Sequence, residues 1–205
     1  ENEDPLEAAS IEVNQTTLTT DATGQASIDV VNGSYDYTVS HGEYESVSGT
    51  AEIAGTDQTE LITLPEITYT VTFIVKDENE NLVEAANVSI DGNNLTTNAS
   101  GEAVIDLATD TYSYSITKDG FEEESGTLTV VDQAVSQEVS LTETRYTVFF
   151  DVTDSNNEDL EGASVVLDGK ALTTDANGNA SVDLVNGSYN YTVSKDGYDQ
   201  VFGTI

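Results

Sequence analysis

The segment LTTDANGNASVDLVNGSYNYTVSKDGY at 172–198 is a near copy of LTTDATGQASIDVVNGSYDYTVSHGEY at 18–44, and a looser copy, LTTNASGEAVIDLATDTYSYSITKDGF, fills 95–121. Leu18, Leu95 and Leu172 stand 77 residues apart with no net insertion or deletion, and 18–50 matches 172–204 at 22 of 33 positions. Self-similarity at a fixed period constrains the architecture before anything else does. A complete unit is 69–145, because YTVTFIV at Tyr69 restarts as YTVFFDV at Tyr146. The expected domains are therefore 1–68, a repeat lacking its first strand, then 69–145, a complete repeat, then 146–205, a repeat lacking its last strand. A unit of this size is long enough to fold alone, though only marginally. A catalytic site is normally written once, so threefold repetition points away from an enzyme.

Within a unit the apolar residues alternate. Tyr69, Val71, Phe73 and Val75 share one face of an extended segment, as do Ala103, Ile105 and Leu107, and then Tyr112, Tyr114 and Ile116. A period of two gives strands with one buried and one wet face, so Ile105 is expected inside and Asp106 outside. Thr, Val, Tyr and Ile suit a pleated surface, and no segment carries a helical stripe. Asp91-Gly92, Asp168-Gly169, Asn32-Gly33, Asn186-Gly187, Asp119-Gly120 and Asp196-Gly197 are tight-hairpin dipeptides, while DATG, NASG and DANG suit longer hairpin turns. About seven short strands per unit follow. The fold class expected is all-β, a tandem array of small seven-stranded antiparallel β-sandwiches.

The order D-x-x-G-x-A, then an alternating run, then G-x-Y-x-Y-x-V-S-x-x-G-Y, carried in the third unit by Asp175, Gly178, Gly187, Tyr189, Tyr191, Val193, Gly197 and Tyr198, follows EGASVVLDG at 161–169. This pattern resembles the carboxypeptidase regulatory-like domain and its relatives, the PEGA and collagen-adhesin B-type repeats of prokaryotic surface proteins. The resemblance implies a transthyretin-like sandwich and the role of a spacer or stalk. Some collagen-adhesin B-type domains carry an internal Lys-to-Asn isopeptide bond. Lys76 at the end of a first strand is replaced by Thr153 in the next unit, so that bond is not carried over.

Five Lys plus Arg stand against 39 Asp plus Glu, a net charge of −34. Such a surface repels nucleic acid and anionic membranes, both of which need a basic face. It keeps a secreted or salt-adapted protein soluble. There is no cysteine, hence neither disulfides nor thiolate metal sites. No apolar run approaches the roughly 20 residues of a membrane helix, so no membrane insertion is expected within this segment.

The single histidine, His41, aligns with Lys118 and Lys195, which suggests an exposed turn rather than catalysis. Without a second histidine or a cysteine, no nucleophile-and-base set can be assembled. The paired tyrosines Tyr35 and Tyr37, Tyr112 and Tyr114, Tyr189 and Tyr191 could form a sugar platform, but they alternate in phase with Val39, Ile116 and Val193 and are expected at the core rim. Oxygen donors alternate along two loops, Asp77, Asn79 and Asn81 in one and Asp154, Asn156 and Glu158 in the other. These are the candidate calcium ligands, since a hard cation takes oxygens from such a loop, although neither has the glycine and distant glutamate of an EF-hand. Eight N-x-S/T sequons, at Asn14, Asn32, Asn87, Asn94, Asn98, Asn179, Asn186 and Asn190, are candidate glycan acceptors.

These observations favour a structural repeat of an extracellular or cell-surface protein, a stalk or filament subunit, with no catalytic residue and no required cofactor. Its expected partners are neighbouring repeats or identical chains head to tail, which could supply strands that the outer units lack. Two rivals are a carbohydrate- or calcium-dependent adhesin module and an accessory domain of an enzyme. The ends of the chain fall inside units, which favours a window cut from a longer array over a polymer of separate chains.

Overall fold

The structure is a computed structural model that describes residues 4–205. Among the described residues every regular element is a strand. In the first sequence repeat these are β1 (Ser10–Val13), β2 (Thr16–Thr19), β3 (Gly33–His41) and β4 (Tyr44–Ile53). In the second they are β5 (Thr68–Asp77), β6 (Asn87–Ile90), β7 (Asn93–Thr96), β8 (Glu102–Ala108), β9 (Asp110–Thr117), β10 (Glu124–Val130) and β11 (Val135–Leu141). In the third they are β12 (Tyr146–Asp151), β13 (Ser164–Leu167), β14 (Lys170–Thr173), β15 (Asn179–Leu184), β16 (Asn190–Ser194) and β17 (Val201–Thr204). Strands β1, β6 and β13 begin at the corresponding positions Ser10, Asn87 and Ser164.

One four-stranded sheet recurs, in the orders β2-β1-β3-β4, β10-β9-β6-β7 and β14-β13-β16-β17. A second sheet changes from repeat to repeat. It is β11-β5-β8 in the second and β12-β15 in the third, while in the first repeat the counterpart segments 25–30 and 58–64 form no ladder. The chain divides into two compact units, one made of Glu1–Thr72, Val104–Ser113 and Thr127–Gln137, the other of Phe73–Ala103, Tyr114–Gly126 and Glu138–Ile205.

Alternation positions the core as expected for pleated strands. Along β5, Val71, Phe73 and Val75 are fully buried. On β8, Ala103 and Leu107 are buried, Ile105 is half-buried and Asp106 is exposed, so the register read from the pattern is the observed one. In the third repeat Phe150, Val165, Leu167, Ala180 and Val182 form one buried cluster.

The hairpin chemistry divides into three cases, one of them Asp119-Gly120 and Asp196-Gly197, where only the glycine has positive φ. Asp91-Gly92 and Asp168-Gly169 have positive φ at both residues, as a type I′ turn requires, and Asn14-Gln15 takes the same conformation without a glycine. Asn32-Gly33 and Asn186-Gly187 are not positive-φ turns. At Gly187 the glycine makes room, since a Cβ would lie 3.1 Å from the Tyr189 ring, whereas a Cβ on Gly33 would lie at an ordinary contact distance of 3.4 Å from the Tyr35 hydroxyl.

Candidate functional site

The two loops offered as cation sites are built by one aspartate each. Asp77 Oδ1 accepts the backbone N–H groups of Asn79 and Asn81, both at 2.8 Å, and its Oδ2 accepts the Asn81 side-chain amide at 2.9 Å. Asp154 Oδ1 accepts the N–H groups of Asn156 at 2.7 Å and Glu158 at 2.9 Å. Asp21, Asn98 and Asp175 do the same two and four residues ahead in the turns DATG, NASG and DANG. All five are one turn, a type I turn followed by a left-handed residue. That residue is Gly24, Gly101 or Gly178 in three of them, and Glu80 or Asn157 in the two candidate cation loops.

The leading aspartate of each loop is therefore explained by turn formation: it captures the backbone amides two and four residues ahead. These bonds favour the ionised carboxylate. The Asn81 side-chain bond, then the Asn81 and Asn79 amides, hold Asp77 below the ordinary aspartate range. The Glu158 and Asn156 amides do so for Asp154, and Thr23 and Gln25 for Asp21. Among the described residues no group of three or more His, Cys, Asp or Glu side chains is placed to hold a metal ion.

All eight sequon asparagines are exposed. Their side chains differ. Asn98 Oδ1 is committed to its turn, and Asn190 Oδ1 accepts the Thr204 hydroxyl at 2.9 Å.

The tyrosines divide into two roles at the sandwich rim. Tyr35, Tyr112 and Tyr189 each donate their hydroxyl to the carbonyl four residues back, on Val31, Ala108 and Val185, at 2.9 to 3.1 Å. Tyr37, Tyr114 and Tyr191 lay their rings across glycines of the neighbouring strand, Gly49, Gly126 and Gly203; a Cβ on Gly126 would come within 2.6 Å of the Tyr114 hydroxyl. Tyr114 and Tyr191 also meet Phe73 and Phe150 edge-on, at 5.1 and 5.3 Å. Burial, aided by Glu124, raises the Tyr114 phenol above its ordinary value.

His41 does not lie on an exposed turn. It ends β3, half-buried, with its ring edge-on to Tyr44 at 5.4 Å and its Nδ1 buried without a hydrogen-bond partner. Its counterparts reach backbone carbonyls: Lys118 donates to Glu84 O at 2.7 Å and Ala85 O at 3.2 Å, and Lys195 to Glu161 O. Imidazole is too short for that role, so it packs on the tyrosine instead.

Sequence reasoning missed a buried threonine. Thr20, Thr97 and Thr174 each accept the N–H of Ala9, Ala86 or Ala163 at 2.8 to 2.9 Å and donate to the carbonyl of Leu6, Val83 or Leu160 at 2.5 to 2.7 Å. The signal was present: a second Thr follows Leu-Thr in all three units, on the face where an aliphatic residue would be expected.

These parts define an all-β protein of sandwich type whose recurring polar contacts serve strands and turns. No protein-family model and no curated protein matches the chain. Among solved structures it is similar to the Bacillus anthracis TIE protein, with a TM-score of 0.64 at 18% identity, over 100% of this chain and 46% of that one. The chain thus spans less than half of that structure, and at this identity the likeness shows the fold alone. A Streptococcal ancillary pilin (TM-score 0.41, 18% identity, 93% of this chain, 77% of that) and the shaft pilin SpaA of Lactobacillus rhamnosus GG (0.32, 16%, 67% and 93%) also match, at scores that carry no argument.

Proposed function

We propose that this chain is a structural tandem-repeat segment of an extracellular or cell-surface protein, a stalk or filament subunit built of seven-stranded sandwiches at a 77-residue period. One observation carries this reading. The polar devices that recur in all three repeats, namely the threonine latch, the Asx turn and the tyrosine rim, all bond to the chain's own backbone. Repetition at fixed spacing adds length without a new fold. The acidic surface, with 39 Asp plus Glu, suits a solvated exterior.

Small-angle X-ray scattering of the chain at moderate salt tests the reading. An extended array gives a radius of gyration well above the value of roughly 17 Å for one compact domain of this length. A value near ~17 Å overturns it. Glycan attachment is a separate proposal. Asn14, Asn32, Asn94 and Asn186 are exposed sequon positions in turns or beside them, and an intact mass equal to the sequence mass in an exporting, glycosylating host would rule it out.

A further inference from the structure

We propose that the outward face of the four-stranded sheet in the third repeat binds a neutral, β-linked oligosaccharide, its sugar rings laid along the row Ala171, Val166, Thr192 and Phe202. The register sets these four side by side across β14, β13, β16 and β17: Val166 pairs with Ala171 and with Thr192, and Thr192 pairs with Phe202. They point away from the core, because Val165 and Leu167 on either side of Val166 are buried. Phe202 is 70% exposed.

The same row is polar in the other repeats. It is Thr17, Glu12, Thr38 and Ser48 in the first, and Asn94, Ser89 and Ser115 in the second, with Ser125 at the sequence position of Phe202. Ser48 and Ser125 are exposed as well, so the wet face of the sheet, and not the end of the chain, is what exposes the ring. The first and third repeats are otherwise close copies, identical at 22 of 33 positions over 18–50 and 172–204. Against that background three of the four row positions turn from polar to apolar together, and in the next row Asp36 gives way to Asn190.

The chemistry of the face selects the ligand. No outward residue of β13, β14, β16 or β17 is charged, in a chain of net charge −34. An anion is repelled by the molecule as a whole, and a cation finds no carboxylate on this face. Hydroxyls border the row on one side, at Thr173, Ser164 and Ser194. On the other, Asn190 Oδ1 accepts the Thr204 hydroxyl at 2.9 Å, which leaves the amide N–H groups to donate. In the first repeat the Thr38 and Ser48 hydroxyls bond at 2.9 Å; Phe202 offers no such bond, so the Thr192 hydroxyl is left for a ligand. A ring and an aliphatic side chain among hydroxyls and an amide match a pyranose, whose faces are C–H and whose edges are hydroxyl. Three interstrand spacings make the row about 14 Å long. That suits a short oligosaccharide and falls far below the roughly 800 Å² per partner of a stable protein interface.

This site is independent of the stalk reading, and its test reads the third repeat against the first. The full chain, labelled for amide NMR, is titrated with cellotetraose and with chitotetraose. Saturable shifts are expected at the amides of 164–167, 190–194 and 201–204 with at least one of these sugars, and none at the counterparts 10–13 and 36–40. Phe202→Ser installs the residue that both other repeats carry, so the sheet is kept while the shifts should vanish. The acidic sugar tetragalacturonate should give none. No shift with either neutral sugar, shifts that survive Phe202→Ser, or equal shifts from the acidic sugar overturn the proposal. So does a free chain that sediments as a dimer and is dissociated by Phe202→Ser, which would make a second copy the occupant of the row.

Discussion

Segments 25–30 and 179–184 are QASIDV and NASVDL, near copies, yet the second is strand β15 and the first belongs to no ladder. In β15, Ala180 and Val182 retain 9% and 6% of their exposure, because β12 lies beside them. At the same positions Ala26 is exposed and Ile28 half-buried. Nothing local distinguishes the two. Strand character here comes from the neighbour that satisfies the backbone and covers the apolar face, as expected when β-propensity reflects fit to a half-buried surface. The four-stranded sheet teaches the converse. It is made of two local hairpins of one repeat paired side by side, β1–β2 with β3–β4 and their counterparts, and β1, β6 and β13 form alike in all three.

The strongest way to break this comparison is to make the third repeat resemble the first. Phe150→Ala removes the side chain through which β12 fills the core, and large-to-small changes of this kind cost about 3 to 5 kcal/mol. The 179–184 amides should then exchange as fast as those of 25–30, while the β13–β14 hairpin remains protected. Full retention of β15 protection would show that its strand character is local after all. A smaller effect is expected from Thr97→Val, which leaves the Ala86 N–H and the Val83 carbonyl without their buried partner. The cost should be about 1 to 3 kcal/mol. The matching change Thr20→Val should cost about the same, since that latch is complete without the second sheet. A Thr20 effect near zero, measured by chemical denaturation, would show that the first repeat is loose throughout.

Much of this was legible beforehand. The alternation gave the strands, the faces of Ile105 and Asp106, and the place of the tyrosines, because a period of two is set by the pleat. Turn positions were legible where φ decides them, as at Asp91-Gly92. They misled at Asn186-Gly187, where the glycine answers to the volume of the Tyr189 ring, a contact between residues two apart that no turn rule encodes. The candidate cation loops were found for their oxygens, yet the leading aspartate of each is also what an Asx turn needs, and only the hydrogen bonds reveal that second role. His41 was misplaced because alignment with lysines says which positions tolerate a long polar side chain. It does not say that the aliphatic stem or the ring lies in solvent.

Acid should sharpen the comparison further, by a smaller amount. Asp21, Asp77 and Asp154 are held below the ordinary value, chiefly by Thr23, Asn81 and the Glu158 amide respectively. A carboxylate whose pKa falls on folding contributes stability that is fully present above the unfolded value of about 3.9 and is lost as pH drops through the folded one. The turns should therefore weaken below about pH 4. Protonation also relieves repulsion within a net charge of −34, which acts in the opposite direction. Melting in about 1 M salt, where the screening length is about 3 Å, separates the two. Asp77→Ala should then flatten the acid limb, and a variant with an unchanged limb would show that the turn bonds do not carry it.

The smallest expected effect is that of calcium, and it bears on the two loops that have Glu80 or Asn157 where their three relatives have glycine. A hard cation needs carboxylate oxygens free to turn toward it, in a shell of six to eight. At Asp77 both oxygens already accept hydrogen bonds from Asn79 and Asn81, and at Asp154 Oδ1 accepts the Asn156 and Glu158 backbone amides while Oδ2 accepts the Asn156 side-chain amide at 3.3 Å. Coordination would have to break the bonds that form the turn. Thermal melting in calcium and in magnesium at equal ionic strength should therefore give the same midpoint, both raised equally over low salt by screening of the acidic surface. A calcium-specific rise that Asp77→Asn and Asp154→Asn abolish would show that these loops bind the ion in spite of their turn bonds, and would move the chain toward the calcium-dependent adhesin reading.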